Sequence, residues 1–599
     1  MAERRRTALK GGTLSDIWLY VRYQTLSKLL LALIVMPAYR FVAGWLIASR
    51  GRTSVTSGDF ADFVFSLPGL GLAVLTTLLV GFLVVLDIAA FVIAELARLR
   101  GEPLNTGRAL LLEALRSIPR FLHPATLLFL LYVALVVPLV NLGPSLTALD
   151  WVQVPNFVTD VIVRNPVFLS LYIGVLTLIG VLAFFLIVTV QAMFVHDLDP
   201  WRAMRASTRF VARNWWSVIV TLVRGPLILG SAVLLAAALL VGGLLVLTAL
   251  LPEDVLAIRF SAVLISVVAA AVMGFLVFVL VPIELRNLTR TYAVLDDAIP
   301  AEAREDVRAA DRRARPRLLA AGFGALAAAL VVAMLGALFF DEVFVQDRTI
   351  EVIAHRGGGD LDAENSVEGV QAAAAAGIQW SEIDIQRTRD GAYVVNHDAT
   401  FARLSGERRS SSEMTLAEIR ELSITNTFRP GAPARGVPTI EEMLDAAAGR
   451  IGLFVELKGD TADRRMVDDM AALVRERGMV GSVVLIGLDL DLMAYAESTH
   501  PDLLTGYLYY FGVGDTADLD FDFLIIEEGV ASPGRVEDLQ SAGRRVVVWT
   551  VNTEDSIDRF AGSQVDGIIT DVPVDVAEAI TAKQERDDLE RVLDVVFVE

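Results

Sequence analysis

Residues 351–398, EVIAHRGGGDLDAENSVEGVQAAAAAGIQWSEIDIQRTRDGAYVVNHD, place two of the chain's five histidines, His355 and His397, on either side of a Glu-x-Asp pair, Glu382 and Asp384. Carboxylates two residues apart on a strand project from one face. With Glu456 from a later apolar run they offer hard oxygen donors suited to a divalent cation, Ca²⁺ or Mg²⁺. The chain has no cysteine, so thiolate sites are excluded and zinc is the poorer match. A cation that polarises phosphoryl oxygens, flanked by two imidazoles that exchange protons, is equipped to cleave a phosphodiester. Arg356 can grip the phosphate through two N–H groups and Lys458 can hold it as a point charge. A lone Glu-x-Asp is ordinarily a solvated face, and a lone histidine at a strand end is ordinarily structural. Their recurrence at successive strand ends reads as a site.

Those strand ends come from short β-rich runs: VIAHR, WSEIDIQ, GLFVELK, VVLIGL, LTGYLYY, FLIIEE, RVVVWTV and DGIITD. Helical patterns such as TIEEMLDAAAG and DRRMVDDMAALVRERG separate most of them. Strand–helix alternation over about 250 residues predicts a (β/α)8 TIM barrel, with its active face at the C-terminal strand ends, where Trp549 and Asn552 also fall. YVVNHD follows WSEIDIQ too closely for a parallel crossover, and Asp390-Gly391 between them is a tight-hairpin dipeptide. Residues 393–397 are therefore expected to double back and return His397 to the barrel mouth. An insertion, about 398–437, should cover that mouth, with a short helix at LAEIREL.

The rest of the chain is of a different kind. Residues 341–599 hold 23 Lys/Arg against 50 Asp/Glu, net −27, whereas residues 1–340 hold 29 against 21, net +8. Apolar runs of spanning length lie near 25–49, 69–96, 124–142, 168–195, 226–251, 260–283 and 318–340. The reading is an integral membrane domain of about seven transmembrane helices over 1–345 and the barrel over 346–599. Arginines fill alternate loops (Arg98 to Arg120, Arg202 to Arg213, Arg286 to Arg315), which places the N-terminus in the cytoplasm. An odd span count then puts the barrel outside the cytoplasm. The acidic second half argues against nucleic acid as the diester, because phosphate polymers need basic tracks. Asp87 sits within the second run, either as a satisfied bundle contact or lining a polar cavity.

HRG at 355–357, EN at 364–365, EID at 382–384, HD at 397–398, ELK at 456–458, VWTVN at 548–552 and DGIITDVP at 566–573 resemble, in order, the motifs of glycerophosphodiester phosphodiesterases. The multi-span first half is similar to the membrane domain joined to some bacterial members. The resemblance implies a metal-dependent hydrolysis to glycerol 3-phosphate and an alcohol, on a glycerophosphodiester or lipid-derived substrate at the bilayer. It puts the acid–base pair on His355 and His397 and the metal ligands on Glu382, Asp384 and Glu456. It puts a phosphate-proximal lysine on Lys458, a substrate-wall aromatic on Trp549, and supporting roles on Glu364 and Asn365. The family's usual PENT reads AENS here, with Ala363 and Ser366 as the departures. Alternatives are a lysophospholipase D-like or polyglycerolphosphate-cleaving enzyme, with Tyr507, Tyr509, Tyr510 and Phe511 lining a groove or packing the core, or a sensor or transporter with a degenerate barrel.

Overall fold

The structure, a computed structural model, describes residues 13–100, 102, 104, 106–121, 162–163, 165–250, 254–296, 307–343, 349–586 and 588. These form two compact units.

The first unit is helical. Among the described residues six helices are long and apolar enough to cross a membrane: Asp16–Ala48, Leu67–Leu99, Pro166–His196, Pro200–Leu244, Val255–Val272 and Arg315–Leu338. They coincide with six of the seven apolar runs; the remaining run, 124–142, lies outside the described residues. Asp87 is a satisfied bundle contact, accepting hydrogen bonds from Tyr23 (2.8 Å) and Lys28 (2.7 Å). Buried Glu95 pairs with Arg290, and Asp16 with Arg98 and Arg286. Charges in a bilayer-spanning bundle need such internal partners. The amphipathic helix Gly107–Arg116 buries Leu110 and Ala114 in a cluster with Tyr20, Tyr23 and Phe91.

The second unit comprises the barrel together with Gly44–Gly69. Its strands in chain order are β1 (Ser54–Thr56), β2 (Glu351–Ala354), β3 (Trp380–Arg387), β4 (Tyr393–Val395), β5 (Ser423–Ile424), β6 (Arg435–Gly436) and β7 (Gly452–Leu457). There follow β8 (Val483–Gly487), β9 (Leu504–Tyr509), β10 (Gly512–Gly514), β11 (Phe523–Glu527), β12 (Arg545–Trp549) and β13 (Gly567–Thr570). Eight parallel strands close in the order β2-β13-β12-β11-β9-β8-β7-β3 and back to β2. Both faces are covered, which is why these strands read as continuous apolar runs. One set of side chains, Ile353, Phe454, Val484, Ile486, Leu508, Phe523, Ile525, Val547 and Ile569, fills the barrel interior. The alternate set packs outward in a larger cluster with residues of the helices.

β4 runs antiparallel to β3, with Ile385 opposite Val395 and Arg387 opposite Tyr393, the hairpin expected from Asp390-Gly391. The segment after it carries the short helices Ala402–Ser405 and Leu416–Ile419 and the two-stranded β5–β6 sheet, around a small core of Phe401, Leu404, Met414, Ile419 and Ile424.

Gly452 opens β7 where a Cβ would lie 2.2 Å from the Trp380 ring of β3. Gly452→Val is therefore expected to force the indole out of its seat and cost about 1–3 kcal/mol, the usual penalty of overpacking. Thermal unfolding of the full-length protein in detergent checks this; an unchanged midpoint would contradict it.

Candidate active site

The site is built from strand ends. Along β3, Ile383 and Ile385 pack outward, so Glu382 and Asp384 face the interior. On β7, Leu453, Val455 and Leu457 point outward while Phe454 fills the interior, so Glu456 emerges above that ring, opposite Asp384 in register. All three carboxylates are buried, and one oxygen from each lies within 4.8 Å of the others.

Three carboxylates this close repel one another. Burial, then the neighbouring Asp384 charge, pushes Glu382 up to about 8. Burial raises Glu456 as well. Asp384 goes the other way: burial opposes its charge, but Lys458, His397 and Arg356 outweigh burial and hold it below the usual range. Lys458 Nζ donates to Asp384 Oδ1 and Glu456 Oε2, each at 2.9 Å. Asn365 Nδ2 donates to Asp384 Oδ2 at 2.8 Å. Glu382 Oε2 accepts from the Arg356 backbone N–H at 2.9 Å, while its Oε1 is buried with no hydrogen-bond partner. An orphaned buried oxygen in a set of three carboxylate donors fits a hard divalent cation.

His355 follows β2. Its Nδ1 lies 2.6 Å from Asp571 Oδ1 and its Nε2 3.9 Å from Glu382 Oε2. Burial would lower this imidazole, but Asp571 outweighs it and raises it above its ordinary value. Asp571, just past β13, is held in turn by Asn552, whose Nδ2 donates to Oδ2 at 2.7 Å. His397, past β4, has Nδ1 2.8 Å from Asp398 Oδ1. Arg403 donates to Asp398 (Nε, 2.7 Å) and to Glu364 (Nη1, 2.7 Å; Nη2, 2.5 Å). Ionised carboxylates only accept, so each histidine presents a protonated Nδ1 to its aspartate, and the Nε2 of His355 faces Glu382.

The sequence-derived residues thus fall into two groups. His355, Glu382, Asp384, Glu456 and Lys458 form one connected cluster with Asn365, and His397 is close enough to influence both Asp384 and Glu456. Glu364 lies one layer out, paired with Arg403 and, at 3.5 Å, with Arg356. Trp549 ends β12 and packs against the interior cluster. Tyr507 and Tyr509 are fully buried in the outer core. Ser366 caps the helix Val367–Ala375, its Oγ accepting from Gly369 N–H and donating to the Ala363 carbonyl.

Asp571, Asp398 and Arg403 were not singled out from the sequence. The carboxylates had a signal, since DGIITDVP and HD each set an Asp at a strand end beside a histidine. Arg403 had none.

Residues 355–575 match the glycerophosphoryl diester phosphodiesterase family, and residues 14–317 match the membrane domain of glycerophosphoryl diester phosphodiesterase. A glycerophosphodiester phosphodiesterase of Caldanaerobacter subterraneus is 27% identical over 234 residues, covering 37% of this chain and 94% of the relative. A lysophospholipase D of Mus musculus is 22% identical over 280 residues, covering 39% and 83%. An Oleispira antarctica phosphodiesterase, solved with the product sn-glycerol-3-phosphate, aligns at TM-score 0.35 and 22% identity, covering 39% of this chain and 96% of that one.

Proposed function

This chain belongs to the glycerophosphoryl diester phosphodiesterase family, and we propose that its barrel hydrolyses glycerophosphodiesters to glycerol 3-phosphate and an alcohol by two-histidine acid–base catalysis at the membrane surface. The membrane domain is taken as 1–345 and the hydrolase as 346–599, with the insertion at about 398–437 over the mouth, the N-terminus cytoplasmic and the barrel outside. The observation that carries the reading is the pair of Nδ1-anchored imidazoles beside a buried trio of carboxylates, one of whose oxygens, Glu382 Oε1, has no hydrogen-bond partner.

One imidazole Nε2 takes the proton from the attacking oxygen, either water or the substrate's own glycerol 2-hydroxyl. The P–O bond to the alcohol breaks, and the other imidazole returns a proton to the departing alkoxide. Attack by the 2-hydroxyl passes through a cyclic phosphate that water then opens. Asp571 and Asp398 fix the ring orientations and stabilise the imidazolium forms. Arg356 and Lys458 hold the phosphate oxygens, and Trp549 walls the substrate. Glu382, Asp384 and Glu456 would hold Ca²⁺ or Mg²⁺, which supplies charge neutralisation at the phosphoryl oxygens.

Full-length protein in detergent should release glycerol 3-phosphate from glycerophosphocholine, lose the activity with chelator and regain it with Ca²⁺ or Mg²⁺. Turnover indifferent to chelator would sink the metal assignment. A substrate lacking the 2-hydroxyl separates the routes, since undiminished turnover means direct attack by water. The membrane half and the similarity to a lysophospholipase D favour a second reading, lysophospholipid cleavage at the same centre. Faster turnover of lysophospholipid than of glycerophosphocholine would establish it.

A further inference from the structure

Seven of the eight barrel strands are followed, before the next, by an α-helix that covers the sheet; β9 is not. Between β9 and β11 the chain makes only β10 and the 3-10 turn Thr516–Asp518. The place is taken by the loop between the first two spans. β1 pairs antiparallel with β10, Ser54 opposite Gly514, Val55 opposite Val513 and Thr56 opposite Gly512. Flanking bonds extend the ladder: Ser57 N–H donates to the Phe511 carbonyl (3.0 Å) and Asp515 N–H to the Thr53 carbonyl (3.2 Å).

Side chains lock the pairing. Thr56 Oγ1 and the Tyr507 hydroxyl are 2.5 Å apart, and the Thr56 backbone N–H donates to Asp59 Oδ1 at 2.6 Å. Asp59 is also paired with Arg52. Phe60 meets Phe511 edge-on at 5.0 Å, and Val55 is only 2% exposed. Gly58 comes so close to the Leu488 carbonyl that a Cβ would sit 2.1 Å from it. A backbone ladder with buried side chains is strand addition, and its two strands must share one aqueous compartment.

We infer that the loop between the first two spans is an integral wall of the hydrolase unit, and that loop and barrel therefore lie on the same side of the bilayer. An even number of crossings must then separate residue 69 from residue 349. Five described spans follow the loop, so parity requires one more crossing than the described residues show, and a total that is odd. The sequence has one further run of spanning length, 124–142, outside the described residues. The strand pairing reaches this parity without reference to the arginine pattern. It rests on the spanning reading and not on the catalytic one.

The chain has no cysteine, which makes both arms of the test clean. In the full-length protein, Val55→Cys with Val513→Cys places two thiols on register partners, a spacing a disulfide accepts. Oxidation should close an intramolecular bridge; two thiols that stay open to alkylation would overturn the proposal. Separately, Ser49→Cys, Glu537→Cys and Arg209→Cys, all exposed positions, are labelled with a membrane-impermeant maleimide in intact cells. Ser49→Cys and Glu537→Cys should label alike and Arg209→Cys oppositely. Unlike labelling of the first two refutes the shared side whatever the enzyme's activity.

Discussion

His355→Ala in the full-length protein is expected to lower kcat for glycerophosphodiester hydrolysis by about 10²–10⁴-fold, the range that positioned general acid–base catalysis contributes. KM should change little, because the proposed phosphate grip is that of Arg356 and Lys458 and not of His355. The imidazole is anchored on Asp571 and lies 3.9 Å from Glu382, so its removal also leaves Asp571 without that partner. A structural loss is separable from a chemical one by adding imidazole, which refills the cavity and should restore part of kcat without moving the unfolding midpoint. The single variant at His397 should fall as far, and the double variant little further, since residues acting as one relay are not additive. Activity retained in the double variant would return the barrel to a non-catalytic role.

How much of this was legible beforehand follows from how local each feature is. Glu382 and Asp384 were legible because a period of two puts them on one face whatever the rest of the fold does. The β3–β4 hairpin was legible from Asp390-Gly391 and a connection too short to cross over. Glu456 required only that β7 neighbour β3, which strand order in a barrel supplies. Asp571 needed barrel closure, since β13 meets β2 only when the sheet joins its own end. Arg403 could not be found, because its bridge from Asp398 to Glu364 depends on the path of the insertion. The β1–β10 pairing was the least visible of all. Three residues of a span-connecting loop carry no periodicity, and their partner lies over 450 residues away. The missing helix after β9 was the one available hint, as it leaves Tyr507 and Tyr509 in need of cover.

Asp384→Asn should be the most informative change at the carboxylate cluster, because its effects on ion-dependent stability and on turnover can be read separately. The amide is isosteric and keeps the volume at a position only 1% exposed. It relieves Glu382 of its neighbouring charge, but it also removes the carboxylate that Lys458, His397 and Arg356 stabilise, leaving Lys458 with Glu456 as its partner. A carboxylate held below its usual range stabilises the folded state at neutral pH, so without added ion the variant should unfold earlier than the parent. With Ca²⁺ or Mg²⁺ the parent should gain about 2.7 kcal/mol at an ion concentration a hundred times Kd, by mass action on the folded state. The variant should lose most of that gain, and calorimetric titration should show its ion affinity reduced. Activity should fall by about 10³-fold if the ion supplies several kcal/mol of transition-state charge stabilisation. A variant that still gains stability from the ion but has lost turnover would move Asp384 from ion binding to substrate contact. One that loses neither would remove the carboxylates from the chemistry and leave the histidines to act alone.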